Sequence, residues 1–183
     1  GRFWPGSMYE GDSPRPSAGL YRVDPDLSYR RMVSDVTCSN GLAWSPDSKV
    51  MYYADSLAQR VWAWDFDPAT GEIANRRSFV DTSPFASNPD GATVDAEGAY
   101  WLTPPEADKL ARFDPAGELM QVIDMPVHHP TCAMFGGADL GVLYITTATM
   151  FRSAAELAKK PLTGGLFALD VGVKGLPEAP FRG

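Results

Sequence analysis

Only two cysteines occur in 183 residues. That is too few for a disulfide framework, and their spacing is not that of a metal-binding set. Cys38 and Cys132 each lie beside apolar, strand-like runs, so both are expected as free buried thiols in a reducing cytoplasm. Basic side chains are also scarce, 16 against 23 acidic ones, for a net charge of −7. No basic face is available to displace counterions, which argues against a nucleic-acid partner. No apolar run approaches the roughly 18 residues that span a bilayer, and no charged-then-apolar leader opens the chain. Neither a membrane partner nor export is therefore expected. Helical composition is confined to residues 153–160, which Pro161 ends; an insertion loop with one helical turn accounts for it equally well. Gly-x-Ser-x-Gly elbows, phosphate loops and His-Glu-x-x-His zinc motifs are all missing.

What the chain does have is repetition. A strand-like run ending in aspartate occurs four times, at residues 20–24 (Leu-Tyr-Arg-Val-Asp), 61–67 (Val-Trp-Ala-Trp-Asp-Phe-Asp), 110–114 (Leu-Ala-Arg-Phe-Asp) and 166–170 (Leu-Phe-Ala-Leu-Asp). The terminal aspartates are 43, 47 and 56 residues apart. Aspartate–proline turns follow three of them, starting at Asp24, Asp67 and Asp114; aspartate opens such turns and proline presets the next φ. Further apolar runs recur in step, at 42–44, 92–94 and 132–135, then at 50–53, 100–102 and 142–145, and finally at 78–80 and 119–123. About four short antiparallel strands per unit, at this period, predict an all-β chain built of propeller blades. Three nearly complete blades fall at about residues 36–82, 86–125 and 130–173, with 1–33 as outer strands of another. The whole of 1–183 reads as one domain. Three and a half blades cannot close a ring that hides its strand edges, so N-terminal blades are expected to be missing. The tryptophans (Trp4, Trp44, Trp62, Trp64 and Trp101) fall in the strand pattern and are expected as packing.

In this order, Gly-Arg-Phe-Trp-Pro-Gly-Ser-Met-Tyr-Glu (1–10), Ser-Asn-Gly-Leu-Ala-Trp-Ser-Pro-Asp (39–47), Tyr-Tyr-Ala-Asp-Ser (52–56), Pro-Asp-Gly (89–91), Val-Asp-Ala-Glu-Gly (94–98), Thr-Cys-Ala-Met-Phe-Gly-Gly (131–137) and Gly-Gly-Leu-Phe (164–167) resemble the senescence marker protein/gluconolactonase family of lactonases. The resemblance is collinear over essentially the whole chain. It implies a six-bladed propeller with one divalent cation at the top of the central channel, and a metal-dependent hydrolase that opens sugar lactones. The cation would polarise the lactone carbonyl and activate water. Asn40 and Asp90 match two of the family's metal ligands, and Asp90 also its proposed catalytic base. Taken alone, Asn40-Gly41 and Asp90-Gly91 read as turns leading into strands. Their equivalent places, before the innermost strands of successive blades, are where side chains would converge on an axis. An amide carbonyl and a carboxylate are hard oxygen donors, so calcium is the first expectation, with magnesium and manganese beside it; zinc is also found in the family.

Glu10 matches a glutamate that faces the substrate in the family, where it would hydrogen-bond sugar hydroxyls; a solvated loop glutamate is the other reading. The family's first-blade glutamate ligand, and an Arg-x-Asn segment upstream of its Gly-Arg-Phe motif, have no counterpart in this sequence. Residues 103–108 (Thr-Pro-Pro-Glu-Ala-Asp) replace the family's usual Gly-Gly loop, so substrate preference does not carry across. His128-His129 lacks a third nitrogen or sulfur ligand at useful spacing and is expected in a surface loop. A non-catalytic calcium- or ligand-binding propeller, and an esterase or phosphotriesterase using the same metal, are the rival readings. A small-molecule sugar lactone is the expected partner.

Overall fold

The computed structural model describes residues 1–181, and these form four antiparallel sheets in chain order. The first pairs β1 (Ala18–Val23) with β2 (Tyr29–Val36). Isolated bridges from Phe3 to Val23 and from Gly6 to Leu20 add the N-terminal segment as a further strand. The second sheet runs β3 (Ser39–Trp44), β4 (Val50–Asp55), β5 (Arg60–Asp67) and β6 (Glu72–Asp81). The third repeats that order with β7 (Ala92–Val94), β8 (Tyr100–Leu102), β9 (Lys109–Phe113) and β10 (Leu119–Asp124). The fourth holds β11 (Pro130–Gly136), β12 (Val142–Thr147) and β13 (Leu166–Leu169). Here the structure departs from the expected four strands: among the described residues the last sheet has three. The chain beyond it crosses back, and Gly175 bridges Asp95 of the preceding sheet.

Three apolar cores lie between successive sheets. Leu20, Val33, Met51, Tyr53 and Trp64 fill the first; Tyr52, Ala54, Val61, Tyr100 and Phe113 the second; Trp101, Leu110, Leu143 and Ile145 the third. Side chains alternate across a strand, so β4 sends Met51 and Tyr53 one way and Tyr52 and Ala54 the other. Likewise β8 sends Trp101 into one core and Tyr100 and Leu102 into another. Strands buried on both faces lack a polar side, which is why these runs are uniformly apolar. Face-to-face sheets joined this way are propeller blades. The tryptophans lie in or against these cores, and Trp101, fully enclosed, is also hydrogen-bonded: its Nε1 donates to the buried Asp95 carboxylate at 2.8 Å.

The edge strands β3, β7 and β11 pack side by side, β3 on β7 and β7 on β11. Antiparallel pairing then decides which loops meet at which end. Ser39 pairs with Asp55, Ala92 with Leu102, and Pro130 with Thr147. The connections after β4, β8 and β12 therefore emerge beside the starts of β3, β7 and β11. The first two are single 3₁₀ turns, Ser56–Ala58 and Pro105–Ala107. The third is the long insertion between Thr147 and Leu166, carrying α1 (Ala154–Lys159). Ser153 and Glu156 close a capping box at its start, satisfying two otherwise orphaned N–H groups. Among the described residues no helix is long and apolar enough to cross a membrane.

Candidate metal and substrate site

Asn40, Asp90 and Thr131 lie at the starts of the edge strands of three successive blades: Asn40 and Thr131 are the second residues of β3 and β11, and Asp90 comes two residues before β7. Glycine makes the close approach feasible. Gly41 has φ +57°, a left-handed value that favours glycine, and an added Cβ would strike the Tyr100 hydroxyl. That hydroxyl donates to the Gly41 carbonyl at 2.7 Å. The same hypothetical Cβ would lie 3.5 Å from the Asp90 carbonyl oxygen, so the two metal-ligand candidates sit on adjoining backbone. Gly91 is crowded from the other side: a Cβ there would lie 2.5 Å from Cys132 Sγ. Its N–H donates to the Thr131 carbonyl at 2.8 Å, stitching the third sheet to the fourth.

Ser56 fixes Asn40, a role that no sequence signal assigned to it. Asn40 Nδ2 donates to Ser56 Oγ at 2.8 Å, and Ser56 Oγ donates to the Pro89 carbonyl at 2.7 Å. With the amide nitrogen engaged, the carbonyl oxygen is the atom left to meet a ligand. Asp55, next in the chain, anchors the same corner by accepting from the N–H groups of Thr37 and Cys38. The Tyr-Ala-Asp-Ser run at 53–56 was the available clue, but its use depends on which residues the antiparallel register brings opposite.

Asp90 is a partly buried carboxylate whose pKa is pushed up to about 6, first by burial and then by the neighbouring Glu106 charge. No ion pair to it forms among the described residues. Glu106 behaves in the opposite way. Burial would raise its pKa, but hydrogen bonds from Ser87 Oγ at 2.5 Å and the Asn88 N–H at 3.0 Å hold it below the usual range. Both thiols border the site. Burial, with Asp90 adding, raises the pKa of Cys38 and of Cys132, so both stay protonated and unreactive near neutrality.

Glu10 is exposed, two residues beyond a bridge between Met8 and Cys38. Its loop thus leaves from the Asn40 end, but the structure assigns its side chain no hydrogen bond among the described residues. His128 and His129 correct the sequence reading. They are not in a loose surface loop: His128 Nδ1 lies 2.6 Å from Asp108 Oδ2, and His129 is only 7% exposed. A cavity of about 550 Å³ lies at the opposite end of the edge strands. It is walled by Trp4, Trp44, Phe66 and Val94 and includes neither Asn40 nor Asp90, so its size does not mark the chemistry.

A partly buried, unpaired carboxylate beside a free amide oxygen is a donor set that fits a hard divalent cation. It is incomplete as a cage, since no group of three or more His, Cys, Asp or Glu side chains suited to a metal gathers among the described residues.

The family model described as SMP-30/gluconolactonase/LRE-like region matches residues 1–149. The chain belongs to this family. Regucalcin of Gallus gallus is 38% identical over 189 residues, an alignment covering all of this chain and 63% of that protein. The chain therefore spans less than two thirds of the length of the curated relatives it matches. Among solved structures, a calcium-binding regucalcin from Agrobacterium tumefaciens superposes with a TM-score of 0.93 at 26% identity, covering all of this chain and 61% of that one. A gluconolactonase from Xanthomonas campestris gives 0.62 at 26% identity, covering 80% of this chain and 50% of that one. The β-propeller architecture thus follows from the sheets and from the family together.

Proposed function

We propose that the full-length protein hydrolyses sugar lactones, using one divalent cation held in part by Asn40 and Asp90. The observation that carries this reading is Asp90: a carboxylate shaded from water, facing another acid rather than a base, next to the asparagine of the adjoining blade. Calcium is the expected ion, given the oxygen donors and the calcium-binding relative. When bound, such an ion supplies Lewis acidity to a carbonyl oxygen.

The chain's own residues do the rest. Ser56 holds the Asn40 amide nitrogen, leaving Oδ1 free to meet the ion. Asp90 takes the proton of the attacking water on a carboxylate oxygen, while the remaining hydroxide oxygen bonds to the carbonyl carbon. As the ring C–O bond breaks, that proton passes to the departing alkoxide, and a hydroxy acid results. A raised pKa suits Asp90 to the task, since it offsets the loss of basicity that a nearby cation imposes. Glu10, at the same end, accepts hydrogen bonds from sugar hydroxyls.

Acid release from a panel of aldonolactones, with calcium present, tests the reading. Asp90→Ala is expected to lose about 10²-fold or more in turnover, the scale of a general base. Near-normal turnover in that variant would remove Asp90 from both roles. Calcium binding without turnover of any lactone would favour the non-catalytic, calcium-binding alternative.

A further inference from the structure

The insertion after β12 is built as a compact Ω-loop at the Asn40–Asp90 end. Its neck is pinned by Thr147, whose Oγ1 donates to the Gly165 carbonyl at 2.8 Å and accepts from the Gly164 N–H at 2.9 Å. Its flank is pinned by Asp108 at the foot of the 103–108 loop, which receives Lys160 Nζ at 3.0 Å and Arg152 Nη2 at 3.4 Å. Within this anchored loop, Phe151 does the reverse of what an aromatic side chain ordinarily does. It is 85% exposed, beside Met150 at 59%, although Arg152 after it is tied to Asp108. It also adopts φ +60°, a left-handed conformation uncommon for a bulky residue.

The ring's position is set from behind. The His129 ring lies 6.0 Å from the Phe151 ring, centroid to centroid. His129 is enclosed, with its Nδ1 unpartnered, and is itself held at φ +58°. Its backbone is fixed on both sides: the N–H donates to Asp108 Oδ1 at 3.0 Å, and the carbonyl accepts from the Ala148 N–H at 3.0 Å. Two residues on, Thr131 accepts from Gly91, the neighbour of Asp90. Phe151 is thereby connected to the mouth of the candidate site through His129 and Thr131, while most of its surface is left to solvent. A single exposed apolar side chain is common on protein surfaces. One held in a strained conformation, backed by a buried ring and set at a site mouth, has more of the character of a binding surface.

We propose that Phe151 is a specificity-determining residue, an aromatic platform that stacks on the C–H face of a sugar ring entering the Asn40–Asp90 end. The idea rests on the lactonase reading for its substrate class. It predicts that substrates presenting a continuous apolar ring face are favoured over acyclic esters and small unsubstituted lactones. An aromatic contact of this kind is worth a modest factor, and its loss affects binding rather than chemistry.

The test compares wild type, Phe151→Ala and Phe151→Trp in the full-length protein loaded with calcium. Binding of D-galactose and D-glucono-1,5-lactam, ring-closed probes that undergo no turnover, is followed by calorimetry and by saturation-transfer NMR. Phe151→Ala should weaken lactam binding about 2- to 10-fold, an aromatic pair's usual range, and Phe151→Trp should restore it. In turnover of D-glucono-1,5-lactone, KM should rise by the same factor with kcat unchanged. Equal lactam affinity in all three proteins, or a loss confined to kcat, would overturn the proposal. If wild type binds the lactam through Phe151 yet turns over no lactone, the platform stands and the lactonase reading falls. Because the side chain is largely exposed, neither variant threatens the fold.

Discussion

Asp90 occupies a state that its own chemistry disfavours, and this has a measurable sign. An unfolded aspartate ionises near 3.8, whereas in the cation-free fold Asp90 ionises at about 6. Between those values the folded protein holds a proton that the unfolded chain has released. Stability of the cation-free protein should therefore fall as pH rises from about 4 to about 6 and stay lower above that. The difference is on the order of 3 kcal/mol. Asp90→Asn is expected to raise urea resistance at pH 7 in the absence of cations, with little change at pH 4; the same gain at both pH values would contradict the account. Calcium affinity should move the other way, weakening as pH drops below about 6, because the ion needs the carboxylate ionised. Gly91 gives a second test at this scale. Alanine there must displace Cys132 or the backbone beside it, so Gly91→Ala should lower thermal stability and calcium affinity together. The Asn-Gly and Asp-Gly pairs were legible in the sequence as strand entries. The crowding that requires the glycines was not, because Tyr100 and Cys132 come from distant parts of the chain.

At the scale of elements, Asp108 shows where sequence reading stops. His128 is 20 residues from it and Lys160 is 52 residues away, so no local pattern could link them, and the histidine pair looked like loose surface. Burial alone would raise the Asp108 pKa, but hydrogen bonds from the His129 N–H, His128 and Lys160 hold it below the usual range. A depressed carboxylate stabilises the fold above its unfolded pKa, and that contribution disappears as pH falls below about 4. Asp108→Ala should free the Ω-loop locally, seen as faster amide exchange or proteolytic cutting within residues 148–165, while the sheets stay protected. Uniform loss of protection across the chain would refute a local clamp. The short strand β8 makes a contrasting case. Its apolar triplet was readable, and burial on both faces explains why it needs no polar side. Trp101→Ala should cost about 3–5 kcal/mol, and Asp95 would lose one hydrogen bond while keeping its ion pair to Arg112.

For the whole molecule, the repeat of aspartate-ended strands gave away the all-β propeller architecture, because each blade must rebuild the same turn and the same two-faced core. The three-stranded last sheet, and the return of Gly175 to Asp95, were not foreseeable: strand pairing across blades depends on where the chain travels, not on its local pattern. The equivalence of Asn40 and Asp90 between blades was legible, and their backbones do adjoin. Ser56 and Glu106, which tune them, became visible only with the register. The claim that joins these scales is that Asn40 and Asp90 serve one ion. A double-mutant cycle in calcium binding measures this directly, using calorimetry on the full-length protein, Asn40→Ala, Asp90→Ala and the double variant. Two ligands of one site should each weaken a one-to-one binding event, and the double variant should lose less than the sum of the two single losses, since a broken site has little left to lose. Unchanged calcium affinity in either single variant would contradict the account.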